Sequence, residues 1–426
     1  MYVLTGGRLR MSDDSLANKL TLLRKKRLFL LFAAIGPGIM VMLADTDAGS
    51  IITAAQSGAM WGYRLILPQL VLIPILYFVQ EVTIRLGLVT KKGHGELIRE
   101  HFGLKWALLS VLTLFLASVG ALVTEFSGIA GVSELFGIPG WISVSFATIL
   151  LIVIGFSGSY RRIERIGIAF GLFQLFFFVA MFMAHPSLSD MAHGMISIPL
   201  QNRNYLFLLA ANVGAVIMPW MVFYQQGAVI DKGLGTEHLK AARQDTILGS
   251  IVTQLVMVAV VVATAATIGH YSHRSLNDIQ QIAQAITPFL GQFGGKVVFG
   301  LGMVGASFIA ALVVSIAGAW GIGEAFGFNH SLNHKFKEAK WFYLIYTSAH
   351  VGGAILVILS VNLISLNVDV QVMNAMLLPI VLGFLLVLEA KALPKKWRMK
   401  GLHKYAVWLL SAIVMAFGLY MAVSIL

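Results

Sequence analysis

Apolar runs of about 20 residues recur from residue 28 to 426, each long enough to cross roughly 30 Å of hydrocarbon. Nothing else in the chain constrains its folding as tightly. Inside a bilayer every backbone polar group must be paired within the chain, which leaves helices or a closed barrel. The runs are continuously apolar and do not alternate over ~10 residues, so a β-barrel is excluded. Composition agrees: 58% of residues are hydrophobic, 12% are charged and mean hydropathy is +0.84. Soluble domains carry about 25% charged residues. A secreted enzyme, a collagen-like fibre and a disordered regulator are excluded, and an all-α polytopic membrane protein is expected.

Eleven spans are predicted, near 29–60 (interrupted), 64–88, 106–132, 139–158, 166–185, 205–230, 247–270, 297–322, 342–362, 371–391 and 405–425. They divide into a basic segment (1–28), a first five-span repeat (29–185), a second (205–391) and an additional span (405–425). Residues 275–293 are amphipathic, too polar to cross and expected along the surface. The net charge of +12 is read through topology and not as a nucleic-acid signal. All but four of the 31 Lys and Arg residues fall in the N-terminal segment, at the C-terminal ends of even-numbered spans or in the loops that follow them. The exceptions are Arg64, Arg203, Arg274 and Lys296. An N-terminus in the cytoplasm and a C-terminus outside follow, with the inner membrane of a bacterium as the expected location. Residues 1–27, ending in Arg24-Lys25-Lys26-Arg27, do not read as a signal peptide. With no Cys there is no disulfide and no thiolate metal site.

Two spans depart from a plain helix. The first places Asp45, Asp47 and Gly49 at membrane depth, where an ionised carboxylate costs several kcal/mol unless it faces a cavity or a partner. The sixth carries Pro219 near its middle, and Pro removes a backbone hydrogen bond and clashes with the preceding turn. Spans 1 and 6 hold corresponding positions in two five-span halves. Paired interruptions of this kind are the sequence pointer to a transporter site between inverted repeats.

At these residues the chain resembles the Nramp family of divalent-metal transporters, within the LeuT-like superfamily. Gly36-Pro37-Gly38 is followed by Asp47-Ala48-Gly49-Ser50, where the family has D-P-G-N, and then by Gly62-Tyr63. The stretch from Arg85 to Thr90, Glu125-Phe126-Ser127-Gly128 and the stretch from Leu135 to Pro139 are also similar. Gly214-Ala215 with Met218-Pro219 resembles the family's G-A-x-x-M-P-H, and Gln371-Val372-Met373 with Leu378-Pro379 resembles its tenth span. The resemblance implies a LeuT-like 5+5 inverted repeat that binds its ion between the broken helices. Asp47 would be the carboxylate ligand, Ser50 would stand for the family's Asn, Ala215 would offer its carbonyl and Met218 its thioether, and Gln371 would coordinate the ion or close the site. Carboxylate, carbonyl and hydroxyl oxygens suit Mn²⁺ or Fe²⁺, and a thioether favours softer transition metals over Ca²⁺ and Mg²⁺.

The departures carry information too. Ser50 is a shorter ligand than Asn, and Ala48 replaces the family's Pro. Trp220 replaces a His, Gln225 stands where a second His lies, and Leu122 replaces an Asp one turn before Glu125. Those positions are linked to protons in the family, so proton coupling by its usual route is not expected. Asp45 is either a second carboxylate facing the cavity or a polar residue satisfied at the break. Glu125 is either a vestibule or proton-relay group or a structural hydrogen-bond partner. Trp220 and Gln225 line the same vestibule or proton pathway. Glu81 and Arg85 read as an i,i+4 ion pair, and Glu324 and Glu389 as solvated helix ends. The stretch Gly300-Leu301-Gly302-Met303-Val304-Gly305 fits a dinucleotide pattern but lies in an apolar span with no preceding strand, so that reading fails.

The function expected is secondary transport of a divalent metal ion by alternating access. The alternatives are Mg²⁺, or a small organic solute held by Asp47 beside Trp220 and Gln225. No nucleophile–base set lies at membrane depth, so an enzyme is not expected. No cofactor beyond the transported ion, no nucleic acid and no obligate protein partner is implied; the remaining partners are the lipid bilayer and protons.

Overall fold

The computed structural model describes residues 36–269, 275–359 and 363–425, and all regular structure among them is helical. The basic segment 1–28, the start of span 1, Arg274 and the end of span 9 lie outside the described residues. Nine helices among the described residues are long and apolar enough to cross a membrane, and Gly140–Gly155 is a shorter apolar one.

Span 1 is split into α1 (Pro37–Asp45) and α2 (Ala48–Trp61). Span 2 is α3 (Ile66–Thr90), followed by the short α4 (His94–Phe102). Spans 3 and 4 are α5 (Leu104–Leu135) and α6 (Gly140–Gly155); span 5 comprises α7 (Tyr160–Gly171) and α8 (Phe176–Met183), joined by a 3₁₀ turn. After α9 (Leu188–Ile196), span 6 is split into α10 (Arg203–Val216) and α11 (Pro219–Asp231). Span 7 is α12 (Leu239–Thr264), followed by α13 (Ile279–Ile286). Spans 8 to 11 are α14 (Gly291–Phe326), α15 (Lys340–Leu359), α16 (Leu363–Ala392) and α17 (Gly401–Ile425).

These helices pack in two groups. Helices α1, α2 and α3 pack on α12, and α1 and α3 also on α11, while α5, α6, α14 and α15 form a second set. The pattern survives exchange of the halves: span 7 packs on span 1 as span 6 packs on span 2, and span 5 packs on spans 1 and 8 as span 10 packs on spans 6 and 3. Large apolar side chains such as Phe146, Ile149 and Phe182 stay exposed on the outer surface, as lipid-facing positions should.

The loops after even spans interlock at one end. Asp231 accepts from the Leu332 N–H at 2.7 Å, and Asn333 Oδ1 from the Tyr160 N–H at 3.2 Å. Glu324 and Glu389 are not solvated helix ends. Both are buried, and they accept from the Gly95 N–H at 2.8 Å and the Met399 N–H at 2.5 Å. Glu81 pairs with Arg85 at 2.6 Å and also with Arg243 and His403, tying spans 2, 7 and 11 together. At the other end, Gln56 grips the Leu276 backbone through both amide atoms (2.5 and 3.0 Å), so the amphipathic segment folds against the bundle with Ile279, Ile282 and Ile286 buried.

Candidate transport site

Both breaks are built by local rules. Asp47 has extended backbone (φ −79°, ψ 177°) and caps α2, its Oδ1 accepting from the Ser50 N–H at 2.6 Å. That bond satisfies one of the N–H groups a helix start leaves open. The second break lies at Ile217 and Met218, and Pro219 is the first residue of α11. Pro219 therefore does not kink a helix interior; its ring begins a new helix, where a missing N–H costs nothing. Gly49 likewise sits in the first turn of α2 and not in the break. Its hydrogen admits α16: a Cβ there would lie 2.1 Å from Gln371 Nε2.

The two breaks meet through Ser50. Its hydroxyl reaches the carbonyls of Asp45 (3.0 Å) and Ala215 (2.9 Å), bridging the end of α1 to the last turn of α10. Gln371 closes the group from α16, with Oε1 held by Asn374 at 3.0 Å. From α5, Glu125 Oε2 accepts from the Ala48 N–H at 3.1 Å, and Thr124 donates to Oε1 at 3.0 Å. Glu125 and Gln371 both adjoin the Asp47 carboxylate. Asp47 Oδ2 and Gln371 Nε2 are buried without a hydrogen bond of ordinary geometry. A bare carboxylate oxygen in a dry interior calls for a cation or a proton.

Asp47, Ser50, Ala215, Gln371 and Glu125 thus come together. Met218 is fully buried in the second break, three residues beyond Ala215. The Asp45 carbonyl joins the group, whereas its carboxyl lies beside Thr253 of α12. Trp220 and Gln225 are buried on α11, and Trp220 Nε1 and Gln225 Oε1 have no partner; neither is hydrogen-bonded to the Asp47 group. Sequence reading missed Asn374 and Thr124, which orient Gln371 and Glu125. The available signal was a polar residue one turn from, or next to, a candidate already named. Among the described residues no three His, Cys, Asp or Glu side chains converge on one point. The polar groups joined at the breaks are the Asp47 carboxyl, the Ser50 hydroxyl and the carbonyls of Asp45 and Ala215.

Among solved structures, transporters of the LeuT-like fold share this architecture. The Eremococcus coleocola manganese transporter superposes with a TM-score of 0.75 at 18% identity, covering 92% of this chain and 86% of that one. A Na⁺-coupled sialic acid symporter gives 0.62 at 12% identity, covering 90% and 88%. The protein is a multi-pass integral membrane carrier of that fold. The profile of the Nramp family, "Natural resistance-associated macrophage protein-like", matches residues 38–424, and the chain belongs to that family. Curated relatives include the divalent metal cation transporters MntH of Vibrio campbellii, 24% identical over 303 residues (69% of this chain and 70% of the relative), and of Verminephrobacter eiseniae, 26% identical over 306 residues (69% of each).

Proposed function

We propose that the chain carries a divalent metal ion, Mn²⁺ or Fe²⁺ before Mg²⁺, by alternating access of the spans 1, 2, 6 and 7 against spans 3, 4, 8 and 9. The observation that carries this reading is the buried Asp47 Oδ2, without a hydrogen bond of ordinary geometry, set where two helix breaks meet. Beside it the Ala215 carbonyl and Ser50 hydroxyl offer oxygen, Gln371 closes the site, and Met218, in the second break, would supply sulfur. A thioether offers nothing to a strongly hydrated Mg²⁺ and favours softer ions. The names of the MntH relatives and of the manganese transporter support the same class of cargo. A cavity of about 450 Å³ lined by Gln56, Met60, Leu208, Leu276, Val368 and Asp369 lies at the odd-loop end, against α2, α10 and α16. It serves as the outer vestibule. The interlocked even loops, with their Lys and Arg clusters, are the cytoplasmic face of a bacterial inner membrane. The ion is cargo, no cofactor takes part, and the reaction is transport and not catalysis.

Calorimetry with purified protein tests the cargo. Asp47→Ala should abolish Mn²⁺ binding with expression retained. Met218→Ala should lower the preference for Mn²⁺ over Mg²⁺. Unchanged Mn²⁺ affinity in Asp47→Ala would remove the site. Equal affinity for the two ions in the wild type would make the thioether a packing group. If neither ion binds, the organic-solute reading takes over.

A further inference from the structure

The inner end of α1 is held by a carboxylate from another span. Gly36 and Gly38 begin this nine-residue helix, and their N–H groups both donate to Asp245 Oδ2 of α12, at 3.1 and 2.7 Å. Asp245 is buried, and its other oxygen, Oδ1, has no partner. One oxygen therefore takes two of the first-turn donors and sits at the positive end of the helix. A second pair closes on the same point: Lys232, at the end of α11, meets Glu164 of α7 at 2.8 Å with both side chains buried. Gly36 (φ +138°) lies so close beneath them that a Cβ would stand 2.4 Å from Glu164 Oε1 and 2.7 Å from Lys232 Nζ. Spans 5, 6 and 7 thus converge on one helix start.

The remainder of α1 is held differently. Met42 lies against Gly249 and Ser250 of α12, and Met40 against Gly167 and the Tyr224 hydroxyl. Methionine contacts of this kind adapt as surfaces slide. Gln174 Nε2 donates to the Leu43 carbonyl at 2.6 Å, and at its far end α1 runs into α2 through the non-helical Thr46 and Asp47, with the Ser50 hydroxyl on the Asp45 carbonyl. A short helix on a two-residue hinge, with adaptable sides and one charged clasp, can swing as a unit.

The geometry points to Asp245 as a positioning residue for transport: it latches α1 shut at the inner end, Glu164 and Lys232 bracing the clasp, and its release opens the way from Asp47 to the even-loop face. The inference rests on the transport reading above, but its first test needs no metal. The chain contains no Cys, so Met42→Cys is a single reporter thiol. Met42 is fully buried, and a membrane-impermeant methanethiosulfonate reagent should modify this thiol slowly in purified protein. Losing the charged acceptor should speed modification about tenfold in Asp245→Asn, with a smaller gain in Glu164→Gln. An unchanged rate in folded Asp245→Asn would overturn the latch.

A second test does not depend on the fate of that variant. A Cβ at Gly249 would lie 2.8 Å from Met42 Cβ, so Met42→Cys with Gly249→Cys can be oxidised to a cross-link after a small outward shift. The cross-linked protein should still bind Mn²⁺ but stop transporting it, with transport restored by a reductant. Transport at the reduced rate while cross-linked would show that α1 need not move. Loss of Mn²⁺ binding in the wild type would sink the cargo assignment and leave the labelling result standing.

Discussion

At the scale of a residue, the most telling position is Ala48. The family's motif has Pro there, which offers no N–H; this chain has one, and Glu125 accepts it. Glu125 is thereby tied from span 3 of the scaffold to the first residue of the half-helix that follows Asp47. Asp47 already has the extended backbone that a following Pro requires, so Ala48→Pro fits the chain path. It would gain about 0.4–1 kcal/mol from a stiffer unfolded chain and leave a buried Glu125 oxygen without its donor, at a cost of about 1–3 kcal/mol. The expected outcome is a net loss of about 1–2 kcal/mol, read as a lower midpoint of thermal unfolding in detergent. A raised midpoint would mean that the Glu125 bond contributes little.

At the scale of an element, α4 is anchored by its first residue. His94 is buried, its Nδ1 lies 3.2 Å from Gln226 Oε1, and its ring meets Phe223 edge-on at 4.9 Å. Burial pushes the His94 imidazole down from 6.5 to about 4. The unfolded chain then binds more protons than the folded one in that window. His94 therefore contributes fully above about pH 6.5, and its contribution falls as pH drops toward 4, by about 3 kcal/mol in all. His94→Gln should flatten the acid side of the stability curve between pH 6.5 and 4 relative to wild type. Parallel curves would show that His94 is not held neutral. Residues like this one were hard to read in advance. The broken spans were legible from Asp47 and Pro219 at membrane depth, and the resemblance to the family pointed to Ser50, Ala215 and Gln371 beside them. The Ala48–Glu125 bond was not, because a backbone donor leaves no mark on a side-chain motif. Asp245 fell outside its predicted span because hydropathy weighs a carboxylate as a boundary, while α12 begins at Leu239. Glu324 and Glu389 misled for the same reason: a charge at a helix end looks solvated until another chain segment is seen to cover it.

At the scale of the whole molecule, the positions linked to protons in the family have been replaced together. Trp220 and Gln225 occupy α11, Leu122 occupies α5, and Glu125 is engaged by Ala48 and Thr124. The expected outcome is weak or absent proton co-transport. Proteoliposomes with an internal pH dye should show metal uptake without matching acidification. Strong metal-driven acidification would mean that Asp47, Asp45 or Glu125 moves the proton instead.

The way Asp47 starts α2 also decides what the site refuses. The N-terminus of a helix inside a membrane is a natural seat for the carboxylate of an amino acid or other organic acid. Here that seat is already filled by the chain's own anion, with one oxygen bound to the Ser50 N–H. Opposite it, α10 ends with the Ala215 carbonyl, the negative end of a helix dipole. An incoming acid therefore finds like charge on one side and a carbonyl on the other. On the transport reading proposed above, only a guest that is positive toward both walls is welcome, so the residue proposed to hold the cargo would also turn away a whole class of competitors.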